Sequence, residues 1–452
     1  MPQPRPLQLD ITLEFLTPAV LGGARPRRLD PYMPLRPGSL RGVWRYWFRA
    51  ITGALLWPER SDPNGLLMLR ELLKAESALF GDTSRRSRLV LLPPDLTAPP
   101  GKQIPDAIPI PDPRRGIRYL GYGLFDDPTK RPPESIPEGT RGKISCLIRS
   151  HHDDHADIRA ICATLWTWAA LGGLGGRARR GWGSLHLAKL TADDHPELAP
   201  LLRPWQQLLE PPATSDAYFA TLRDGLGRAQ DALIAFLNAE KLGQAQLKSD
   251  APGPLESIRT LEGLAEASGL RHAYPTGMDA LDHAGALFRD FRSTLSRRDR
   301  GQPPLSDYFE VKNSLQNPGS APRHVDRAAF GLPLNFFFRS LGGARTSLSP
   351  RLPKSAGGAA DRPPDRLASP LFFRVYKLKD GKHGVALINL AGKPTAPPLQ
   401  GCQIAAKTSR EPTPPPSNRI IQDFISWARQ QPPPKSSSSA SPSNTSPGRP
   451  RR

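Results

Sequence analysis

Three arginines, Arg41, Arg45 and Arg49, lie four residues apart in the segment RGVWRYWFRA. At 100° per residue they occupy one sector of a helix, roughly 80° wide, beside a sector of aromatic and aliphatic side chains. Guanidinium groups donate paired hydrogen bonds to phosphate. The spacing therefore predicts a helix with one buried aromatic side and one phosphate-binding edge. Ser39, which follows a Pro-Gly pair, is the predicted N-cap of this helix.

A glycine-rich stretch, residues 172–183, is the second basic segment, with six glycines and three arginines. Glycine lets backbone N–H groups approach a phosphate closely, and a tryptophan offers a plane on which a base can stack. The residues predicted to contact a polyanion here are Gly175, Gly176, Arg177, Arg179, Arg180 and Trp182. The alternative is a turn from helix to strand whose arginines are merely solvated.

The same glycine-rich stretch does not fit a nucleotide cofactor. The GxxxxGK[ST] pattern is absent from it, and its fragments resembling GxGxxG follow a predicted helix. A dinucleotide site requires that pattern after a strand. No cofactor and no small-molecule substrate are therefore predicted.

The charge balance favours a polyanionic partner. Lys and Arg number 62 against 42 Asp and Glu, which gives a formal net charge of +20. Nucleic acid is the commonest partner of so basic a chain, although an anionic membrane or an acidic protein would use the same field. The three scattered cysteines fit neither a disulfide framework nor paired zinc ligands. No apolar run is long enough to cross a membrane, so we expect a cytoplasmic protein without a membrane partner.

Residues 151–155, HHDDH, form the one cluster that suggests metal or catalytic chemistry. His151 and His155 have the four-residue spacing of helical metal ligands, but they would share a helix only if it began earlier than the predicted start at residue 155. A cap from Asp153 or Asp154 beside exposed histidines is the favoured interpretation, and no metal site is predicted. A histidine acting as general acid or base in metal-independent RNA cleavage is the enzymatic alternative.

The first part of the chain, residues 1–195, is predicted to be a ferredoxin-like domain, of the split βαβ type. Leu7–Phe15 alternates apolar and polar residues, which is typical of a half-buried strand. The further elements predicted after the arginine-bearing helix are a helix at 66–80, strands at 116–125 and 143–149, a helix at 155–171 and a strand at 184–190.

The second part, residues 196–428, is predicted to be another antiparallel α+β domain, with helical insertions. Its predicted elements are helices up to residue 240 and at 278–295, and strands at 332–338, 371–378 and 385–390. Residues 249–257 have the composition of a linker. Residues 429–452 are almost wholly Pro, Ser and basic residues, a composition that cannot form a core and predicts a disordered tail.

Five segments, in order, resemble the motif set of RAMP-superfamily proteins from type III-B CRISPR systems, and within them the first, capping Cmr subunits. They read TPAVLGG, SLRGVWRYWFRA, LGGLGGRARRGWGSL, AAFGLPLNF and LASPLFFRVYKL. Trp44 departs from the pattern, in which leucine is more common. The resemblance spans both halves of the chain and implies two ferredoxin-like RAMP domains.

The resemblance also implies a noncatalytic subunit of a crRNA-guided antiviral ribonucleoprotein. Its implied partners are crRNA, target RNA and the other RAMP subunits, and it would hold the crRNA 3′ region or the crRNA–target duplex. The residues carried over to the RNA path are Ser39, Arg41, Arg45, Arg49, Arg177, Arg179 and Arg180. Two alternatives stay open: a guide-processing endoribonuclease of the same superfamily, and a structural subunit whose basic face docks acidic proteins.

Overall fold

A computed structural model gives the fold of the chain. The residues it describes are 6–56, 66–125, 131–150, 154–192, 194–242, 268–270, 272–293, 305, 307–317, 320–351, 366–390, 403–406, 413–414 and 419–432. The predicted linker at 249–257 and most of the predicted tail lie outside these residues.

The first strand, β1 (Leu7–Phe15), is at the centre of the larger sheet. Its alternate side chains from Leu9 to Phe15 are buried, as the pattern predicts. It pairs antiparallel with β6 (Arg141–Ile148) on one side and with β7 (Leu185–Thr191) on the other. The predicted strands around residues 143–149 and 184–190 are therefore confirmed.

The edge of this sheet comes from a segment that the sequence pattern did not predict. Strands β2 (Leu89–Leu91) and β3 (Asp95–Thr97) both pair with β6, which gives the order β2-β6-β1-β7. With β2 and β3 counted together as the second strand of the domain, β1 is its first strand and β6 its third. Both lie at the centre of the sheet, as in a ferredoxin-like domain. Two long helices pack on it, α1 (Pro37–Leu56) and α4 (Ala156–Leu171). A third helix, α2 (Leu66–Phe80), packs against α1.

The prediction of a strand at 116–125 is wrong. A two-stranded pair, β4 (Asp106–Ala107) with β5 (Glu134–Ser135), flanks this segment, which itself forms the short helix α3 (Gly116–Leu120) and a turn. Gly116 lies against the backbone of a later helix, and a Cβ built there would be 2.0 Å from the nitrogen of Ala286. This close approach between segments distant in sequence overrides the local apolar pattern.

Two further helices, α5 (Ala199–Gln206) and α6 (Ser215–Ala239), follow the first sheet. Thr214 caps α6, and its hydroxyl accepts a hydrogen bond from the Ala217 N–H at 3.2 Å. Helix α6 packs against α4, and its apolar side joins the core of the first sheet. The domain boundary at residue 195 stays a prediction.

The second half contains a smaller sheet whose strands pair in the same order as the first three strands of the larger one. Its order is β11 (Leu371–Lys377), β12 (His383–Asn389) and β8 (Ser268–Gly269), all antiparallel. Two helices, α7 (Gly277–Arg292) and α9 (Arg419–Gln430), pack on this sheet and on each other. The chain order β8, α7, β11, β12, α9 reproduces the ferredoxin-like sequence as far as its second helix.

A third antiparallel sheet takes two strands from the segment between α7 and β11 and one from the segment after β12. It consists of β9 (Leu334–Phe338), β10 (Ala344–Arg351) and β13 (Gln403–Ala406), with α8 (Asp307–Gln316) beside it and a core of its own. The predicted α+β class with antiparallel sheets is confirmed. Within the described ranges, no helix is long and apolar enough to span a membrane.

The two halves are joined by the glycine-rich stretch. The Phe373 N–H on β11 donates to the Arg179 carbonyl at 3.0 Å, and Phe372 contributes to the core of the first sheet. The glycine-rich stretch is therefore a contact between the two halves as well as a candidate site.

Candidate nucleic-acid interface

Helix α1 positions the predicted arginine row. Its aromatic side is buried as expected, with Trp44, Trp47 and Phe48 each at most 2% exposed. The helix begins at Pro37, so the prediction that Ser39 is its N-cap is wrong. Proline has no N–H to leave unsatisfied and its φ already suits a helix, which explains why the helix starts two residues before Ser39.

The arginines of α1 all have partners within the fold. Arg45 Nε and Arg49 Nη1 both bond to Glu76 Oε1 of helix α2, Arg49 at 2.8 Å. Glu76 is only 2% exposed, whereas the side chains of Arg45 and Arg49 are 38% and 35% exposed. Arg41 donates to the carbonyl of Phe80 at the end of α2. Two guanidinium groups share one carboxylate, so this edge keeps an excess positive charge that faces solvent in part.

The glycine-rich stretch forms a loop whose backbone is tethered at several points. The Gly176 N–H donates to the Val20 carbonyl at 2.6 Å, and the Gly183 N–H donates to the Pro18 carbonyl at 2.9 Å. Gly183 has a φ of +64°, and a Cβ there would lie 2.0 Å from the Leu174 carbonyl oxygen. Glycine is required at this position both by conformation and by space.

The three loop arginines have different surroundings. Arg177 is exposed and adopts the left-handed conformation, with φ of +63°. Arg179 is half-buried; its guanidinium lies over the Phe372 ring at 5.2 Å, and its Nη1 donates to the Ser369 carbonyl at 3.0 Å. Arg180 is turned inward, and its Nη1 atom is fully buried. The prediction that these arginines form the loop's contact with a phosphate chain therefore fits Arg177 best and Arg180 least.

The prediction that Trp182 offers a stacking plane for a base is wrong. Its side chain is 0% exposed and its ring packs on Phe125, with centroids 5.7 Å apart. An aromatic residue flanked by glycines can turn into the core because the flexible backbone on either side permits it. Trp182 therefore supports the loop from beneath and presents no face to a ligand.

The structure brings the two basic elements side by side. Arg179 of the loop has its guanidinium 5.9 Å from the ring centroid of Tyr46 on α1. The loop that follows β1 joins them a second time: Val20 receives the Gly176 N–H, and two residues on, the Gly22 carbonyl accepts from Arg36 Nη2 at 2.6 Å. Residues 20–22 thus hold Arg36, just before α1, and the glycine-rich loop together. We call the surface formed by Arg36, α1 and residues 172–183 the α1–loop surface.

Comparison with known proteins shows which families and structures this chain resembles. A family model described as the RAMP superfamily matches residues 12–186, the stretch that contains both elements of the α1–loop surface. The matched stretch contains three of the five sequence segments noted above and confirms the resemblance to RAMP-superfamily proteins.

Two relatives of this chain come from Pyrococcus furiosus. The first is the CRISPR system Cmr subunit Cmr1-2, 29% identical over 190 residues, which are 39% of this chain and 94% of that subunit. The second is Cmr subunit Cmr1-1, 25% identical over 164 residues, or 36% of this chain and 43% of that subunit. The crystal structure of apo Cmr1 from the same organism superposes with a TM-score of 0.50 at 16% identity, over 93% of this chain and 96% of that one. The fold of both halves is therefore shared with Cmr1.

The HHDDH cluster lies only partly within the described residues. His151, His152 and Asp153 lie outside the described residues. His155 occupies the N-cap position of α4, and the Asp154 carboxylate accepts from the Ala156 N–H at 3.2 Å. Among the residues that are described, no three His, Cys, Asp or Glu side chains are grouped to hold a metal ion.

Two residues that matter to the α1–loop surface were missed in the sequence. Glu76 neutralises part of the arginine row, and its only signal is an acidic residue within the apolar face of α2. Arg36 lies just before Pro37, and a proline at the first position of a helix is the signal that places Arg36 at the helix N-terminus.

Proposed function

We propose that the protein is a noncatalytic RNA-binding subunit of a type III-B CRISPR effector complex. It holds the crRNA 3′ region, or the crRNA–target duplex, on the α1–loop surface. The observation that carries this proposal is the joining of α1 and the glycine-rich loop through residues 20–22. Two basic segments some 130 residues apart in sequence form one surface, which is what a continuous phosphate chain requires.

The chemistry of the α1–loop surface favours phosphates over bases. Arginines supply its exposed polar groups, and the one tryptophan of the loop, Trp182, is buried. Phosphate contacts fix the position of a strand but do not read its sequence. A subunit that serves many different guides needs sequence-independent contacts of this kind.

The similarity to Cmr1-2 and Cmr1-1 supports assembly with other Cmr subunits, crRNA and target RNA. The net charge of +20 supports the RNA part of this proposal, because a strongly basic chain attracts a polyanion at long range. No observation in the described part of the chain favours the ribonuclease alternative.

The test compares single-stranded RNA binding by the wild type and the Arg36→Gln/Arg177→Gln double variant. Both side chains are exposed, so the change in stability should be small. Urea unfolding of the same variant checks that loss of the Arg36–Gly22 hydrogen bond leaves the fold in place. Affinity should fall about equally for unrelated sequences, and the slope of log K against log salt should shrink by about 1.4, since each single-strand phosphate contact contributes about 0.7. Arg203→Gln, which removes an exposed charge on α5, is the matched control.

Unchanged affinity and slope in the double variant would remove the α1–loop surface from consideration. RNA kept with the wild-type protein in a chelator should stay intact. Specific cleavage there would replace the noncatalytic role with the ribonuclease alternative.

A further inference from the structure

Two arginines from different halves of the chain meet around one phenylalanine. Arg180 comes from the glycine-rich loop and Arg292 is the last residue of α7. Their Cζ atoms lie 4.8 Å and 5.0 Å from the centroid of the Phe288 ring. Arg292 also lies over the rings of Tyr119 at 5.8 Å and Phe330 at 5.6 Å. We call this pair the bis-arginine site.

The donors of the bis-arginine site are incompletely satisfied. Arg180 Nη2 donates to the Phe330 carbonyl at 3.1 Å, but Arg180 Nη1 and Arg292 Nε are buried without an acceptor. In the described part of the chain, no carboxylate pairs with either guanidinium. An unmade hydrogen bond from a buried charged group is destabilising, and each such group in a native fold calls for an explanation.

The aromatic rings stabilise the two cations without neutralising them. A ring face attracts a guanidinium through its quadrupole, but it carries no net charge to offset the repulsion between two positive groups. Burial, and after it the positive charge of Arg292, lowers the pKa of Arg180 to about 9. Arg180 is therefore still a cation at neutral pH, and the site holds two like charges in a poorly solvated place.

We propose that Arg180 and Arg292 form an anion site that binds a phosphate group. A phosphate offers several acceptor oxygens, which suits two planar guanidinium forks with unused N–H groups. Arg180, Arg292 and Tyr119 each keep some exposed surface, so the group can enter from the rim. Because the two arginines belong to different halves, a bound phosphate would tie the glycine-rich loop to α7.

The bis-arginine site shares the glycine-rich loop with the α1–loop surface, but its two arginines are not the exposed ones that the RNA test replaces. Arg177 and Arg36 of that surface are exposed, whereas the donors of the bis-arginine site are buried. Loss of one function should therefore leave the other in place, and the two proposals can fail independently.

The test measures binding of inorganic phosphate to the full-length protein by equilibrium dialysis, and thermal stability in phosphate against chloride at equal ionic strength. The wild type should bind one phosphate and show a saturable rise in Tm. Arg292→Gln should weaken binding by about tenfold or more, because a hydrogen bond to a charged group typically contributes at least that factor. Arg203→Gln should behave as the wild type.

Phosphate also stabilises proteins in general by exclusion from their surface, but that effect should be equal in all variants. Arg292→Lys keeps the charge without the fork and serves if Arg292→Gln fails to fold; it too should bind phosphate more weakly. Equal phosphate binding by the wild type and either folded variant would overturn the proposal, as would no binding at millimolar phosphate.

The source of the phosphate group is separated by competition. Short RNA oligonucleotides with and without a terminal phosphate are added to the protein with bound inorganic phosphate. Stronger displacement by the phosphorylated strand assigns the site to an RNA end. Equal displacement by the two strands, with dialysis still showing one bound phosphate, assigns it to the free ion.

Discussion

Arg374 Nε donates a hydrogen bond to the carbonyl oxygen of Ala170 at 3.1 Å. A second donor of the same guanidinium, Nη2, bonds to the carbonyl of Ala169. These carbonyls belong to the last turn of α4, where backbone acceptors have no partner within the helix and the helix dipole favours a cation. A strand of the second half thus caps a helix of the first half.

Replacing Arg374 with Met should lower the free energy of unfolding by about 2–4 kcal/mol, because charged hydrogen bonds are lost and the Ala169 carbonyl is left buried and unpaired. Arg374 is 3% exposed, and burial lowers its pKa only to about 10, so the charge is present at neutral pH. Urea unfolding measures the effect. Arg203→Met on the exposed side of α5 is the control and should change stability by less than about 0.5 kcal/mol.

The second prediction is that replacing Arg45 and replacing Arg49 have coupled effects on stability, because both arginines pair with the carboxylate of Glu76. Each single change to Gln should cost only about 1 kcal/mol, since the other arginine still pairs with the buried Glu76. The double change leaves the Glu76 carboxylate buried without a partner and should lower the free energy of unfolding by about 3 kcal/mol or more. A double-mutant cycle by urea unfolding measures the excess, and purely additive losses would contradict the shared pairing.

The first sheet could be predicted largely from local patterns, because β1 and β7 alternate burial along their length. The edge strands β2 and β3 could not, since each is only three residues long and carries too little periodicity. The segment at 116–125 was predicted as a strand because its apolar residues suit either structure. Its helix is selected by the contact of Gly116 with α7, which lies some 170 residues further on.

The candidate site, too, could be predicted only where it depends on local sequence spacing and not where it depends on tertiary contacts. The spacing of Arg41, Arg45 and Arg49 correctly predicts that they share a helix edge, because that depends on helical geometry alone. Their pairing with Glu76 and with the end of α2 depends on tertiary packing and has no local signal. The inward turn of Arg180 and Trp182 likewise depends on the second half of the chain, whose rings receive the Arg180 guanidinium.

The burial of Trp182 gives a third prediction. Trp182→Leu should lower the free energy of unfolding by about 2–4 kcal/mol through the cavity it leaves, while RNA affinity of the folded variant stays unchanged. Loss of a base-stacking ring would instead cost about 1–3 kcal/mol in binding. Urea unfolding and RNA titration on the same samples distinguish the two. Arg177→Gln should show the opposite result, with weaker RNA binding and only a small change in stability.

His186 gives the fourth prediction, on pH dependence. It lies opposite Glu14 in the β1–β7 pair, and Glu14 is already bound to Lys377 at 2.7 Å. Burial lowers the pKa of His186 to about 4, with Glu14 opposing the shift and the positive charges of Lys377, Arg374 and Arg141 adding to it. The folded state therefore holds this imidazole neutral at a pH where an unfolded chain protonates it.

Between pH 6.5 and about 4 the unfolded state binds a proton at His186 that the folded state does not, so stability should fall as the pH is lowered through this window. The contribution of this residue is at most about 1.4 kcal/mol per pH unit. His186→Gln should flatten the plot of unfolding free energy against pH, measured by urea titration at several pH values. His324→Gln, at an exposed histidine, is the matched control. If His186→Gln gives the same slope as the wild type, His186 binds its proton alike in the folded and unfolded states, and its burial does not govern acid sensitivity.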